Sequence, residues 1–248
     1  MNLNSYLDKF NSVSLEEMQN VKLMHRMDQK FVFHVNDLYC LLNKIYKSYN
    51  VLEVEGQKVQ KYKSLYFDTD DKLFFLQHHN TRVNRNKVRF REYVGSGLVF
   101  LEVKLKNNKG KTIKNRIKVN SISNTLNQDH QDYVNQIIGE NMDLMPQQWI
   151  VFNRITLVDK AYTERLTIDL NVEFSNKKKS GNFRNIVVAE IKTERSNVSS
   201  FFKSVAKEKY IKPVRLSKYC MTAINLDPTI KHNRFKEKLL LINKLKEL

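Results

Sequence analysis

The sequence predicts an α+β fold: an eight-stranded antiparallel β-barrel with a charged lumen and flanking helices. Three observations carry that expectation. About eight segments alternate charged and apolar residues at the two-residue period of a strand. Most are joined by turns that suit antiparallel neighbours. The helical segments, at the two ends and in one insertion, are amphipathic and need an apolar surface. If the strands turned their apolar faces inward, those helices would meet only charge. Turned outward, the apolar faces are covered by helices and the charged faces line a lumen, which a barrel of this size can hold open.

Residues 5–20 read as a helical lead-in anchored by Leu7, Phe10, Val13 and Leu15. Arg26 to Phe33 is a strand with Arg26, Asp28 and Lys30 on one face. Asn36 is a candidate N-cap for a helix through Tyr49, with Leu38, Leu41, Leu42 and Ile45 at helical spacing. Lys58 to Asp68 is a strand, after which Asp68 or Thr69 caps an apolar turn through Leu73, Phe74 and Leu76. Lys87–Tyr93 and Phe100–Lys106, around Gly95-Ser96-Gly97, form a hairpin. Its charged face carries Lys87, Arg89, Arg91, Glu102, Lys104 and Lys106, and its apolar face Val88, Phe90, Leu101, Val103 and Leu105.

A third strand, Lys111 to Val119, places Lys114, Arg116 and Lys118 together. Residues 121–145 hold a helix closed by Gly139. Strands follow over Gln148–Asp159 and Tyr162–Phe174, the latter with Leu166, Ile168, Leu170 and Val172 on one face. In a last strand, Asn185 to Thr193, Val188, Glu190 and Lys192 lie opposite Val187, Ala189 and Ile191. Ser196 caps a helix with Val198, Phe201, Phe202, Val205 and Ala206 inward. Arg215-Leu216-Ser217-Lys218-Tyr219 opens another, and Phe235, Leu239, Ile242, Leu245 and Leu248 form an amphipathic tail. The organisation expected is a lead-in (1–20), a main domain (21–226) and a C-terminal helix packed on it (227–248).

Among 248 residues, 43 Lys and Arg stand against 26 Asp and Glu, a net charge of +17. Such a balance points to a polyanionic partner. General nucleic-acid binding is disfavoured, because the cations alternate within strands beside acids instead of clustering with exposed aromatics. Cys40 and Cys220 lack metal-ligand spacing and read as buried free thiols of a reducing compartment. No window approaches a membrane span, so a soluble, cytoplasmic protein is expected, with any membrane role left to a separate partner. His78-His79 read as surface residues, His25 and His34 as structural. Lys87, Lys106, Lys114 and Lys118 read as solvated, with Lys87 and Lys106 at most on a rim. A lumen lined by Lys30, Lys87, Arg89, Arg91, Lys104, Arg116, Arg154 and Arg165 exceeds the charge of Glu102, Asp169 and Glu190. Unpaired buried cations are costly, and a chain of phosphates would neutralise the surplus.

The ordered set Arg26-x-Asp28-x-Lys30-Phe31, Ser64-Leu65-Tyr66-Phe67-Asp68-Thr69, Lys87-Val88-Arg89-Phe90-Arg91, Glu102-Val103-Lys104, Asn153-Arg154, Glu164 to Asp169, Glu190-Ile191-Lys192 and Ser217-Lys218-Tyr219 resembles the VTC-type polyphosphate polymerase domain. That family belongs to the triphosphate tunnel metalloenzymes, with the CYTH proteins. The resemblance covers roughly residues 20–225. It implies a tunnel binding ATP and inorganic polyphosphate, and transfer of the γ-phosphate to a growing chain with Mn²⁺ or Mg²⁺. By matching motif, Lys30, Arg89, Arg91, Arg154 and Arg165 would be catalytic. Lys104, Ser217, Lys218, Arg26 and Lys192 would bind substrate, and Glu190 would hold the metal. Tunnel triphosphatases carry Glu-x-Glu-x-Lys where this chain has Arg26-x-Asp28-x-Lys30. The lost negative charge, where a hydrolase would place a second metal site, favours the polymerase branch over a tunnel triphosphatase or polyphosphatase; a non-catalytic polyphosphate-binding module is the other alternative.

Overall fold

The computed structural model describes residues 2–19, 26–109, 111–194 and 200–248, with the backbone alone at Gln19 and Arg26. The chain begins with α1 (Leu3–Leu7), the two-residue strand β1 (Ser12–Val13) and α2 (Leu15–Gln19), where the sequence predicts one helical lead-in. β2 (Arg26–His34) runs straight into α3 (Val35–Ile45). The cap is His34, whose Nδ1 accepts from the Asn36 N–H at 3.3 Å, and not Asn36. Tyr49, expected in the helix, instead starts β3 (Tyr49–Leu52). Next come β4 (Gln60–Asp68), α4 (Leu73–His79), β5 (Arg85–Tyr93), β6 (Leu98–Lys106), β7 (Thr112–Val119) and α5 (Gln128–Ile138). The remainder is β8 (Met145–Asp159), β9 (Glu164–Ser175), β10 (Ser180–Phe183), β11 (Ile186–Glu194), α6 (Phe201–Glu208), α7 (Lys218–Leu226) and α8 (Lys236–Lys246).

Local chemistry sets several boundaries. Gly97, at φ 63°, completes the β5–β6 turn, and Gly139, at φ 87°, ends α5 in the left-handed conformation that glycine tolerates. The Asp68 carboxylate accepts from the N–H groups of Phe74 and Phe75 at 2.8 and 2.9 Å, satisfying two otherwise orphan donors at the start of α4. Ser200 caps α6 by accepting from Lys203 N–H. The expected cap Ser196, with Val198, lies outside the described residues. Phe201 is 48% exposed and points away from the core, whereas Phe202, Val205 and Ala206 are buried as expected.

One sheet takes all the strands, with the main path β2-β11-β9-β8-β4-β5-β6-β7. Its neighbours are antiparallel, and β1 adds to β3 in parallel. The sheet is not closed: no ladder joins β2 to β7 among the described residues, so the expected barrel is corrected to an open sheet. Both ends have a physical reason to stay apart. β7 is an edge strand bearing exposed Lys114, Arg116 and Lys118, and charge on an edge discourages further pairing. The free side of β2 is taken by the segment before α7, where Val214 N–H donates to Lys30 C=O at 2.7 Å.

The outer face carries the apolar residues the alternation predicts. Phe31, Phe33, Leu166, Ile168, Leu170, Val187, Ala189 and Ile191 pack under α1, α3 and α6. Leu65, Phe67, Val88, Phe90, Leu101 and Val103 pack under α5. Two expectations fail here. Val172 does not share a face with Leu170, because β9 holds one more residue than β8 between the Val151–Glu173 and Asn153–Leu170 pairs. Asn171 sits there at φ 50°, and such a bulge inverts the facing of the residues beyond it. Val172 and Phe174 thereby turn to the inner face, beside Ile150, Phe152, Tyr62 and Tyr66. Second, α7 and α8 cover not the outer face but this inner apolar half. The segment leading into α7 reaches β2, β5, β9, β4 and β8 through Leu216, Ser217, Lys218 and Tyr219. A sheet whose one face is held at five strands by the start of α7 and the two residues before it must curl round them. The result is a trough, plugged at one end by α7 and α8.

Cys40 is half-buried and Cys220 buried, both as free thiols. His79, expected at the surface, is fully buried against Phe75 and Phe235. No helix among the described residues is long and apolar enough to cross a membrane.

Candidate functional site: a cationic trough

Cross-strand register brings the charged residues of the inner face into rows. On β4, β5, β6 and β7 one row runs Tyr66, Arg89, Glu102, Arg116. Arg89 donates to Glu102 Oε2 from Nε at 2.8 Å and from Nη2 at 2.6 Å, and from Nη1 to the Tyr66 hydroxyl at 2.6 Å. Arg91 lies 4.0 Å from the same Oε2 and donates to Ser64 Oγ at 3.3 Å. Lys114 pairs with Glu102 Oε1. Burial alone would push the Glu102 carboxyl up, but Arg89, Arg91 and Lys114 together hold it well below the ordinary carboxylate range.

On β8 and β9, Arg154 grips Asp169 with two bonds of 2.6 and 2.8 Å, the bidentate geometry open to a guanidinium. Lys218, the first residue of α7, pairs with the same carboxylate. Against burial, these two cations keep Asp169 ionised far below its usual range. Glu190 on β11 lies between Lys30, at 3.8 Å, and Lys192. Lys192 also reaches Asp28 of the neighbouring strand at 3.1 Å, so two carboxylates of adjacent strands share one ammonium. Aromatic rings floor the trough. Arg91 and Arg154 lie 5.4 and 5.0 Å from the Tyr62 ring centre, and Lys218 lies 5.1 Å from that of Phe152. Such placements favour cations that are cut off from water.

The acids are thus all engaged while cations remain. Lys104 makes no hydrogen bond or ion pair among the described residues. The Arg89 guanidinium, then burial and the Arg91 guanidinium, press its pKa well below that of an ordinary lysine. Lys87, read from sequence as solvated, donates to Ser217 Oγ at 2.9 Å, and its pKa is lowered chiefly by burial. Lys30 donates to Leu216 C=O at 3.1 Å.

Of the residues singled out in the sequence, the trough assembles Lys30, Arg89, Arg91, Lys104, Arg154, Lys192, Ser217, Lys218 and Glu190. Arg165 lies beside Lys192 in register, with Nη2 donating to Met18 C=O at 3.1 Å. The Arg26 side chain lies outside the described residues. Arg116, expected in the lumen, is exposed on the edge strand and stacks 4.4 Å over Phe100. Lys114, Tyr62 and Phe152 also belong to the site without being sequence candidates, Tyr66 belongs to it as part of a quoted motif, and Lys87, read as a lumen residue at most on the rim, lies within it. For the aromatics a signal existed: Tyr62, Ser64 and Tyr66 share the period-two face that leads to Asp68.

Among the described residues no three His, Cys, Asp or Glu side chains converge on a point. Those residues therefore form no all-protein cage for a cation. Mg²⁺ and Mn²⁺ need less, one or two carboxylates with phosphate oxygens completing the shell. Glu190 and Asp28, already sharing one cationic group, fit that smaller requirement.

Titration of these groups gives a two-limbed acid profile. His78, pushed down to about 2 chiefly by burial and by Lys87, stays neutral in the fold, whereas the unfolded chain takes up its proton near pH 6.5. Stability therefore falls as the pH drops below about 6.5. Glu102, Asp169 and Glu190 have depressed pKa values, so their contribution is complete above about pH 4.5 and is lost below it. Asp68 and Glu164, raised by burial, act in the opposite sense between those limbs. The expected melting temperature declines gently below pH 6.5 and steeply below about 4, and His78→Asn removes only the first limb. A flat profile down to pH 3 would mean that the three acids are not held ionised.

One family model and several solved structures match the chain. The family model described as the VTC domain matches residues 25–226. HpAC1 from Hippeastrum, described as revealing a dominant triphosphatase activity, superposes with a TM-score of 0.53 at 15% identity, over 85% of this chain and all of that one. PH1819 and PH1012 from Pyrococcus horikoshii OT3 give TM-scores of 0.45 and 0.40 at 13% and 14% identity. They cover 80% and 76% of this chain, and 96% of each of those. Comparison with curated proteins returned no match.

Proposed function

Because the chain belongs to the VTC domain family, we propose that it synthesises inorganic polyphosphate in the trough, moving the γ-phosphate of ATP to the end of a phosphate chain. The observation that carries this reading is the surplus of inner-face cations after Glu102, Asp169 and Glu190 have each been paired. Lys104 is the plainest case, a half-buried ammonium facing other cations and lacking an acid. Such a charge is stabilised by a polyanion entering beside it.

In this reading Arg91, Lys104 and Lys87 bind the equatorial oxygens of the transferred phosphoryl group and of its neighbours. Arg89 and Arg154, fixed by Glu102, Asp169 and the aromatic floor, keep their guanidinium planes in place before substrate arrives. Ser217 and Lys218 open α7, and the N-terminus of that helix adds partial positive charge. The terminal oxygen of the chain forms a bond to the γ-phosphorus, the bond to the β,γ-bridging oxygen breaks, and that electron pair leaves on ADP. The protein aligns donor and acceptor and stabilises charge at the transferred group; it forms no covalent intermediate. Glu190, with Asp28, would hold Mn²⁺ or Mg²⁺, which supplies Lewis-acid polarisation of phosphate oxygens.

Purified protein given ATP and Mn²⁺ is expected to accumulate long-chain polyphosphate and ADP in step. Orthophosphate alone would convert the reading to a tunnel phosphohydrolase. Tight polyphosphate binding without ADP would leave a binding module.

A further inference from the structure

Beyond Lys87 and Lys104 the charged face does not end. Two residues further along each strand, about 6.8 Å away, Arg85 lies directly opposite Lys106. Lys87 is likewise opposite Lys104, and Lys104 opposite Lys114. Like charges facing one another across a sheet are destabilising, and here two successive rows repeat the arrangement. The acid partner occurs only one row deeper, where Arg89 meets Glu102. Arg215, exposed, precedes by two residues the Ser217 hydroxyl that Lys87 touches.

Arg85, Lys106 and Arg215 form no ion pair among the described residues. After burial, the leading causes that lower the Lys106 pKa are Arg85 and Arg215. Lys238 of α8 joins the same field, with Glu237 beside it. Among the described residues none of Arg85, Lys106 and Arg215 lies over an aromatic ring, so the cation–π contacts that accompany base stacking on single-stranded nucleic acid are not part of this row.

We propose that Arg85, Lys106 and Arg215 form an outer track for a linear phosphate chain, continuous with the trough and used only by chains too long for the trough to hold. The inference rests on the reading of the trough as a phosphate site. It assigns the track a role in retaining product chains, separate from the residues that engage a triphosphate.

The test compares tripolyphosphate and long-chain polyphosphate as ligands of the full chain and of its Arg85→Gln/Lys106→Gln/Arg215→Gln variant, at one fixed low ionic strength. The variant is expected to bind tripolyphosphate like the parent and long-chain polyphosphate about tenfold more weakly, the sum of three partly screened charge contacts. Since the substitutions remove facing like charges, the unliganded variant should melt no lower than the parent, which separates binding from folding. Equal long-chain affinity in the two proteins overturns the track. So does a parallel loss of tripolyphosphate binding, which would place these residues in the trough. Single-stranded RNA that displaces long-chain polyphosphate from the parent but not from the variant overturns the choice of ligand. If the parent binds neither phosphate ligand, it is the reading of the trough that fails.

Discussion

Glu102→Ala is expected to lower the free energy of unfolding by about 3–5 kcal/mol, the range for removing one partner of a buried charge network. The Glu102 side chain is fully buried and anchors Arg89, Arg91 and Lys114. Arg89 keeps only the Tyr66 hydroxyl after the substitution, and Lys114 loses its acid. Lys104, already unpaired, would then face three more uncompensated cations. The penalty comes from charge left behind, not from the area of one carboxylate. Chemical denaturation should therefore show partial recovery in Arg89→Met/Glu102→Leu, which removes a cation together with the acid. Added polyphosphate should restore more stability to Glu102→Ala than to the parent, because the freed cations bind it. A loss below about 1 kcal/mol, the level of an exposed pair, would show that water reaches this row and that the trough is not a desolvated site.

The same residues show what the sequence discloses and what it does not. Alternation at Lys87 to Glu92 and Leu101 to Lys106 reports which side of a sheet a residue takes, and the Arg89–Glu102 and Lys87–Lys104 pairs follow from the hairpin alone. Alternation does not report depth. Lys87 reads as solvated because its partner Ser217 is brought near only by tertiary structure, and Lys114, exposed as expected, still reaches Glu102 across the ladder. Nor does periodicity survive a bulge: the left-handed Asn171 turns Val172 and Phe174 inward, where they enlarge the apolar end that Val188, Ile150 and Phe152 already form by alternation. The alternation argument assigns every helix, α7 included, to the outer face. Yet Tyr219, Cys220, Met221, Ala223, Ile224 and Leu226 leave hardly any polar face, and a helix apolar all round is a buried one. The open sheet was the least legible feature, since closure depends on whether β2 and β7 can meet. The segment before α7, held to β2 by one backbone bond and one lysine, occupies that side instead.

Glu190→Gln should separate binding from chemistry. Glu190 is partly exposed and lies among lysines, so the amide fits the same space and the fold should persist. Lys30 and Lys192 lose a counter-charge, and the trough becomes more positive by one. Metal-free tripolyphosphate binding is thus expected to hold or tighten, while metal-dependent turnover falls by about 10³-fold, the several kcal/mol that a bound divalent ion supplies. These two responses have opposite signs, which a merely structural role for Glu190 would not produce. Asp28→Asn should fall between the parent and Glu190→Gln, because Asp28 is the more exposed of the two carboxylates that share Lys192. Binding of Mn²⁺ measured in the presence of tripolyphosphate should weaken in the same order. Full turnover in Glu190→Gln would remove this carboxylate from the metal site. A parallel loss of metal-free binding would instead make it a support for Lys30 and Lys192, with the ion held elsewhere.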